Sequence, residues 1–227
     1  MIPRPENPLI VALDVSDLEA AEALARSLQG RVGLFKVGLE LFAAHGPDAV
    51  IRLRNFGPVF LDVKLHDIPS TVEGAARNCA RMGVAMITVH ALGGEAMVAA
   101  AARGAAEGAE RSGHPMPSIL AVTVLSSLAG EGLATAASLA YEASAAGATG
   151  VVVSGADVAE VREVLGDQAC LVVPGIRLPG SNGHDQLRIL TPQAAVERGA
   201  DYLVIGRPIT ASDDPAGVAN AVVASVR

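Results

Sequence analysis

Eight apolar runs, each the length of a β-strand, recur along the chain and constrain its fold more than any other feature. They are Leu9–Leu13, Gly33–Val37, Val59–Val63, Ala85–Val89, Ile119–Leu125, Val151–Val153, Leu171–Val173 and Tyr202–Ile205. Segments with helical periodicity lie between them, and apolar strands that alternate with helices require a parallel sheet covered on both faces. Eight such units without a composition break predict a single domain over residues 1–227, a closed (β/α)8 TIM barrel.

Local signals predict where four of the helices begin. A capping pair, or a proline at the first helical position, marks each of these starts. They are Ser16 with Glu19, Gly46 with Pro47, Ser70 with Glu73, and Thr191 with Pro192. A doubly wound open sheet is the structural alternative, but it would be expected to carry a Gly-rich phosphate turn after its first strand. The segment from Asp14 to Asp17 contains no glycine.

Composition and charge exclude several classes of function. Hydrophobic residues make up 51% of the 227 residues and aromatic residues only 3%, so the core must be aliphatic and disorder is excluded. The net charge of −7 argues against a nucleic-acid partner or an anionic membrane surface. Cys79 and Cys170 lack metal or redox spacing, which is typical of a reducing compartment. With no signal peptide and no spanning apolar run, we expect a soluble cytoplasmic protein.

The run that begins at Val59 ends in charged residues, which is unusual for a buried strand. Successive strand residues alternate faces, so Asp62 and Lys64 are predicted to point the same way, and Asp67 follows a few residues later. A D-x-K pair taken alone is more often a structural ion pair than a reacting centre. The rest of the chain must therefore decide between these interpretations.

Polar residues fall at the predicted carboxyl ends of seven of the eight strands. They are Asp14, Lys36, Asp62 with Lys64, His90, Ser126 with Ser127, Arg177 and Arg207. Chemistry in a (β/α)8 barrel is located at this end, whereas the opposite end serves stability. The coincidence favours one functional site over a set of unrelated structural residues.

The last two strands predict a phosphate site. Gly175 and Gly206 permit close backbone approach and Arg207 offers a bidentate fork, at the loops where such barrels commonly bind phosphate. A metal site is not expected, because the five histidines show no H-x-H or H-E-x-x-H spacing. His90 is expected to be a hydrogen-bonded residue at a strand end, and His66 a loop or interface residue.

The segment Asp62-Val63-Lys64-Leu65-His66-Asp67-Ile68-Pro69 resembles the D-x-K-x-x-D-I-P signature of the orotidine 5′-phosphate decarboxylase family. The likeness extends over essentially the whole chain, and the long loop after strand seven resembles the bacterial branch. Further matching motifs are Leu13-Asp14, Phe35-Lys36-Val37-Gly38, Thr88-Val89-His90-Ala91, Ala121 to Ser127, Pro174-Gly175-Ile176-Arg177, Asp185-Gln186 and Val204 to Ile209. Ser126 stands where many bacterial members carry threonine, which keeps the hydroxyl.

The resemblance implies a cofactor-free and metal-free decarboxylation of orotidine 5′-monophosphate to uridine 5′-monophosphate (UMP). It implies a homodimer in which Asp67 serves the site of the partner subunit, and a lid over residues 179–185. The implied catalytic residues are Lys36, Asp62, Lys64 and Asp67. The implied substrate contacts are these four together with Asp14, Ile68, Thr71, Ser126, Arg177, Gln186, Gly206 and Arg207.

Two other classes of function remain open. Relatives on the same barrel decarboxylate or condense sugar phosphates with Mg²⁺ and share the D-x-K-x-x-D strand, but they carry an acid where this chain has Lys36. Lys36 therefore favours the nucleotide enzyme. A non-catalytic phosphate-binding protein is the third class, and it would not need an intact D-x-K-x-x-D array.

Overall fold

Eight parallel strands close into a barrel in the computed structural model, which describes residues 5–124, 135–178 and 190–226. The strands are β1 (Leu9–Ala12), β2 (Leu34–Gly38), β3 (Val59–Leu65), β4 (Met86–His90), β5 (Ser118–Val122), β6 (Gly150–Val152), β7 (Cys170–Pro174) and β8 (Tyr202–Ile205). Each strand pairs with the next, and β8 pairs with β1 through Leu203 opposite Leu9. The predicted barrel is confirmed, and the open-sheet alternative is wrong.

Ten α-helices within the described residues cover the outside and ends of the barrel. They are α1 (Leu18–Leu28), α2 (Leu39–His45), α3 (Pro47–Leu53), α4 (Pro69–Arg81), α5 (Gly94–Ser112), α6 (Ala136–Ala145), α7 (Val158–Leu165), α8 (Pro192–Glu197), α9 (Arg207–Thr210) and α10 (Pro215–Ser225). None of the helices described is long and apolar enough to cross a membrane.

The predicted helix starts are only partly correct. Thr191 caps α8 by accepting a hydrogen bond from the backbone N–H of Ala194, and Pro47 opens α3, as predicted. The cap of α1 is Asp17 rather than Ser16, and its carboxylate accepts from the N–H of Ala20 at 2.7 Å. Helix α4 begins at Pro69, so Ser70 lies within its first turn instead of capping it.

Two apolar layers position the functional end of the barrel. Residues such as Leu34, Phe60 and Met86 fill the interior, while alternate residues such as Phe35 and Ile87 pack outward against the helices. The side-chain period of a strand is two, so the interior face continues toward the carboxyl ends of the strands. There it changes from apolar to polar, and Lys36 and Thr88 are the buried residues at this transition.

Strand β3 leaves regular geometry just where its charged residues begin. Leu61 pairs with Ile87 and the next pair joins Leu65 to Val89, so β3 has more residues between the two pairs than β4 has. The extra residues of β3 form a bulge. Lys64 has a φ of 49°, and among the described residues it is the one non-glycine with positive φ. Regular alternation does not extend through Lys64, and its side-chain direction is set by this bulge.

The opposite end of the barrel is closed by a network around Arg162 of α7. Its guanidinium donates to the backbone carbonyls of Gly166, Ala169 and Gly199 and to the carboxylate of Asp201. Asp201 also accepts from the backbone N–H of Leu171 at 2.8 Å. This network ties α7 to the starts of β7 and β8, far from the carboxyl ends of the strands.

Candidate active site

Lys36 is a buried ammonium at the end of β2, and only 7% of the residue is exposed. Its Nζ donates to Asp14 Oδ1 at 2.7 Å and lies 3.8 Å from Asp62 Oδ2. A side chain at residue 38 would collide with this pair, since a Cβ on Gly38 would lie 2.9 Å from both Asp14 Oδ1 and Lys36 Nζ. The sequence thus keeps a glycine where the ammonium needs room.

Asp62 connects the two lysines of the site. Lys64 Nζ donates to both carboxylate oxygens of Asp62, at 2.8 and 3.0 Å. The Asp62 side chain is 15% exposed and that of Lys64 is 30% exposed, so the pair is only partly in contact with water. Asp14, Lys36, Asp62 and Lys64 therefore form a continuous chain of alternating charge, which we call the charged array.

Thr88 of β4 is the buried neighbour of the charged array that the sequence analysis did not single out. Its hydroxyl donates to Asp62 Oδ1 at 3.0 Å and accepts from the backbone N–H of Lys64 at 2.9 Å. The signal was available, because Thr88 is two residues after the interior residue Met86 and so shares its face. What the sequence did not reveal is that β3 bulges toward this hydroxyl.

A pocket opens directly over the charged array. It has a volume of about 130 Å³, and Lys36, Asp62 and Lys64 contribute its polar wall. The remaining lining is largely apolar and comes from Phe60, Val122, Val124, Val152, Val153, Ser154, Pro174 and Val204. Charges beside an apolar wall interact more strongly than they would in water, which suits a reaction that changes the charge of a small group.

Asp67, Ile68 and Thr71 lie outside the charged array within the single chain. Asp67 makes no ion pair with either lysine, and its carboxylate accepts from the N–H of Ile68 at 2.6 Å. Ile68 is 64% exposed. Thr71 is an exposed residue in the first turn of α4.

The predicted phosphate residues are only partly described. Arg207 is the exposed first residue of α9, directly after β8, and Gly206 lies beside β1 and Asp14. Arg177 follows β7, where its backbone N–H donates to the carbonyl of Leu190. The side chains of Arg177 and Arg207 form no ion pair with any other described residue. Ser126, Gln186 and the predicted lid over residues 179–185 lie outside the described part of the chain.

His90 and His66 stand together at the end of β4, with ring centroids 5.2 Å apart. Burial lowers the pKa of His90 below its usual value, and the nearby His66 and Lys64 act in the same direction. The Nδ1 atom of His90 is buried without a hydrogen-bond partner among the described residues, so the expected hydrogen bond is wrong for this atom. Burial of the ring thus favours the neutral form of His90 over the charged form.

Across the ranges 5–124, 135–178 and 190–226, no group of three or more His, Cys, Asp or Glu side chains could hold a metal ion. The acids of the charged array are paired with lysines, which compete directly with a cation. The expectation that this site works without a metal stays a prediction, and the chelator experiment below tests it.

A closed parallel barrel with alternating acids and lysines at the carboxyl ends of its strands is the construction of a (β/α)8-barrel enzyme. Comparison with known proteins narrows this class. Residues 7–222 match the model of the orotidine 5′-phosphate decarboxylase / HUMPS family. The chain belongs to this family.

Individual relatives agree with the family match over nearly the full length. The orotidine 5′-phosphate decarboxylase of Anaeromyxobacter sp. strain K is 48% identical over 98% of this chain and 100% of its own length. That of Moorella thermoacetica is 46% identical over 97% of this chain and 92% of its own. The crystal structure of the Lactobacillus acidophilus enzyme superposes with a TM-score of 0.84 at 35% identity, over 97% of this chain and 99% of the other.

Proposed function

We propose that the charged array carries out the activity of this carboxy-lyase, the conversion of orotidine 5′-monophosphate to UMP and CO2 in pyrimidine biosynthesis. The observation that carries the proposal is the placement of Lys64 Nζ within 3.0 Å of both oxygens of a partly buried Asp62. Loss of CO2 leaves a carbanion at C6 of the pyrimidine, and the enzyme must stabilise this charge and protonate it.

Lys64 is the proposed electrostatic stabiliser and proton donor. An ammonium beside the reacting carbon offsets the developing negative charge and then supplies the proton that replaces CO2. Asp62 would face the substrate carboxylate, and two like charges about 4 Å apart repel by about 4 kcal/mol at an effective dielectric of 20. That repulsion disappears as neutral CO2 departs, which corresponds to about a thousandfold in rate if it is fully relieved in the transition state.

The remaining proposed contacts hold the substrate. Asp14 and Lys36 would bind the ribose hydroxyls, since Lys36 lines the pocket and the side chain of Asp14, its hydrogen-bond partner, is 54% exposed. The phosphate would bind at Arg177, Gln186, Gly206 and Arg207. Two arginine side chains without an ion-pair partner in the described chain follow the adjacent strands β7 and β8, and they support an anion at this place. Thr71 and Ser126 would contact the base and ribose region.

A homodimer is the proposed assembly, with Asp67 completing the site of the partner subunit. Three large apolar side chains are exposed just after three neighbouring strands: Leu39 is 56% exposed, Ile68 64% and Leu92 48%. A second copy of the chain would cover them and would bring Asp67 toward a lysine it does not reach within its own subunit. A cytoplasmic location is proposed because both cysteines are free and buried.

The activity is tested by the loss of orotidylate absorbance after addition of purified protein treated with EDTA. Undiminished turnover is expected. Loss of turnover that Mg²⁺ restores would contradict a metal-free reaction, and absence of turnover with or without Mg²⁺ would contradict the proposed activity. Lys64→Ala should abolish turnover while UMP still binds. Retained turnover would refute the role of Lys64 as proton donor.

The phosphate assignment has its own test. Arg207→Ala should lower kcat/KM by about a hundredfold or more, because charge-assisted bidentate hydrogen bonds to the phosphate are lost. Arg198→Ala removes another exposed arginine whose recorded bond goes to the carbonyl of Gly155, and it should leave kcat/KM unchanged. An Arg207→Ala enzyme within about threefold of wild type would contradict the assignment.

The shared site is tested by mixing two inactive variants, Lys64→Ala and Asp67→Asn. In a mixed dimer, one of the two sites combines an intact Lys64 with an intact Asp67 from the other subunit. Random exchange of subunits should therefore restore up to about a quarter of the wild-type activity. If mixing restores nothing although subunits exchange, Asp67 does not act across the interface.

A further inference from the structure

Thr88 is completely buried in the middle of β4, and its hydroxyl makes two hydrogen bonds that involve the charged array. It donates its only proton to Asp62 Oδ1 at 3.0 Å and accepts from the backbone N–H of Lys64 at 2.9 Å. A hydroxyl has one proton to donate, so these two bonds fix its orientation. Thr88 thus contacts both the carboxylate of Asp62 and the backbone of Lys64, which follows Asp62 by two residues.

The bulge in β3 explains why a hydroxyl is needed at this place. The pairing between β3 and β4 shifts between Leu61 and Leu65, so Lys64 has no residue opposite it in the β4 register. Its N–H donates to the Thr88 hydroxyl at 2.9 Å. Lys64 also has a left-handed backbone conformation with φ of 49°, which L-residues adopt only when their surroundings impose it. The hydrogen bond from its own N–H to Thr88 is such a constraint.

Thr88 differs in kind from the other groups that hold Asp62. Within the described residues, the remaining side-chain partners of this carboxylate are Lys36 and Lys64, which are long and flexible. A buried β-branched residue has few accessible rotamers, so its hydroxyl is a fixed point for the Asp62 carboxylate. Thr88 therefore links the position of the acid to the backbone conformation of the lysine.

We propose that Thr88 is a positioning residue, which sets the carboxylate of Asp62 and the ammonium of Lys64 relative to each other for proton delivery. The inference rests on the proposed function of Lys64 as the proton donor. Thr88 acts through these two residues and is not assigned a contact with the substrate. A displacement of about 1 Å in a reacting group can cost about a hundredfold in rate, so the loss of this anchor should be visible in kcat.

The experiment compares Thr88→Val with Thr88→Ser and with the control Thr123→Val. Valine keeps the branched shape of threonine without the hydroxyl, and serine keeps the hydroxyl. Thr123 is 1% exposed, and its hydroxyl donates to the carbonyl of Val152, so its replacement removes a buried hydroxyl without touching the charged array. For each variant we would measure kcat, KM, the Kd for UMP, the thermal midpoint, and deuterium incorporation at C6 of UMP in heavy water.

Thr88→Val should lower kcat by about tenfold or more, with the Kd for UMP within about threefold of wild type. Deuterium exchange should slow in parallel, because the same ammonium exchanges the C6 proton. Thr88→Ser should restore both rates to within about threefold, and Thr123→Val should change neither. A purely structural role would instead lower the thermal midpoint and leave kcat per folded molecule unchanged.

The proposal is overturned if folded Thr88→Val keeps a kcat within about threefold of Thr123→Val, or if Thr88→Ser is as impaired as Thr88→Val. If the valine variant does not fold, Thr88→Cys replaces it, since a thiol is a weaker donor and acceptor of similar size. Its kcat should then fall below that of Thr88→Ser, and equality would refute the proposal. A wild-type enzyme without turnover would refute the proposed function itself.

Discussion

Replacement of Arg162 by alanine should destabilise the barrel without changing its chemistry. The guanidinium makes five hydrogen bonds of 2.6 to 3.1 Å, and the side chains of Arg162 and Asp201 are only 16% and 15% exposed. The variant leaves the Asp201 carboxylate without its cation and buried carbonyls without a donor. Breaking a buried pair in this way costs about 3 to 5 kcal/mol.

For a chain of this size, each kcal/mol lowers the thermal midpoint by about 2 to 4 °C, so a decrease of about 6 to 20 °C is expected. The chain contains no tryptophan, and unfolding is therefore best followed by far-ultraviolet circular dichroism. Arg198→Ala is the matched control, because that exposed arginine has a single recorded hydrogen bond of 3.3 Å. Its midpoint should stay within about 2 °C of wild type.

Two further measurements test whether the Arg162 network stabilises the fold. The double variant Arg162→Ala with Asp201→Ala should be more stable than additivity predicts, since it no longer contains an unpaired buried charge. The kcat/KM of Arg162→Ala at 25 °C should equal that of wild type, because the network lies at the opposite end of the barrel. A midpoint as high as that of Arg198→Ala would show that the network does not stabilise the fold.

Other regions of the chain give shorter predictions. Burial lowers the pKa of His90 in the folded protein, so on acidification the unfolded chain takes up the proton at a higher pH than the folded chain does. Wild type should therefore lose thermal stability relative to His90→Gln as pH falls through about 6.5. Burial raises the pKa of Cys79 to about 11 and that of Cys170 to about 12, so iodoacetamide near pH 8 should label both thiols in urea but not in the native protein. Gly104→Ala should lower the thermal midpoint by several degrees, since a methyl group on α5 would collide with the carbonyl of Glu73 on α4.

The order of elements followed from the sequence because apolar runs and helical segments alternate without interruption. Tyr202–Ile205 matches β8 to the residue, while other strands shift at their ends by one or more residues. Hydrophobicity marks the middle of a strand better than its boundary, which depends on the pairing with neighbours. The start of α1 shows the same limit, because Ser16 and Asp17 are both good caps. In the structure, Asp17 caps the helix and Leu18 and Ala21 are among its buried residues.

The charged array was predictable because carboxyl ends of parallel strands meet at one rim. Lys36 Nζ and Asp62 Oδ2, from adjacent strands, lie 3.8 Å apart, in agreement with that rule. The prediction that Lys64 lies beside Asp62 was correct, but the reason given for it was incomplete. A bulge with positive φ orients Lys64, and regular alternation does not. A bulge places extra residues of one strand opposite fewer residues of its partner, so the sequence of one strand alone does not reveal it.

Charge balance at the rim explains how binding and chemistry are divided in the proposed reaction. The charged array contains two acids and two lysines and is neutral by itself, so the free enzyme satisfies its own charges before substrate arrives. In the proposed binding mode, the substrate carboxylate would then add an uncompensated negative charge beside Asp62, which would disfavour binding at the reacting end. Arg177 and Arg207 have no ion-pair partner in the described chain and can offset that cost by holding the remote phosphate. Binding free energy gained at the phosphate would thereby place a carboxylate where it is least stable, and departure of CO2 would relieve the repulsion. On this account, loss of either arginine should weaken kcat/KM although neither touches the reacting carbon.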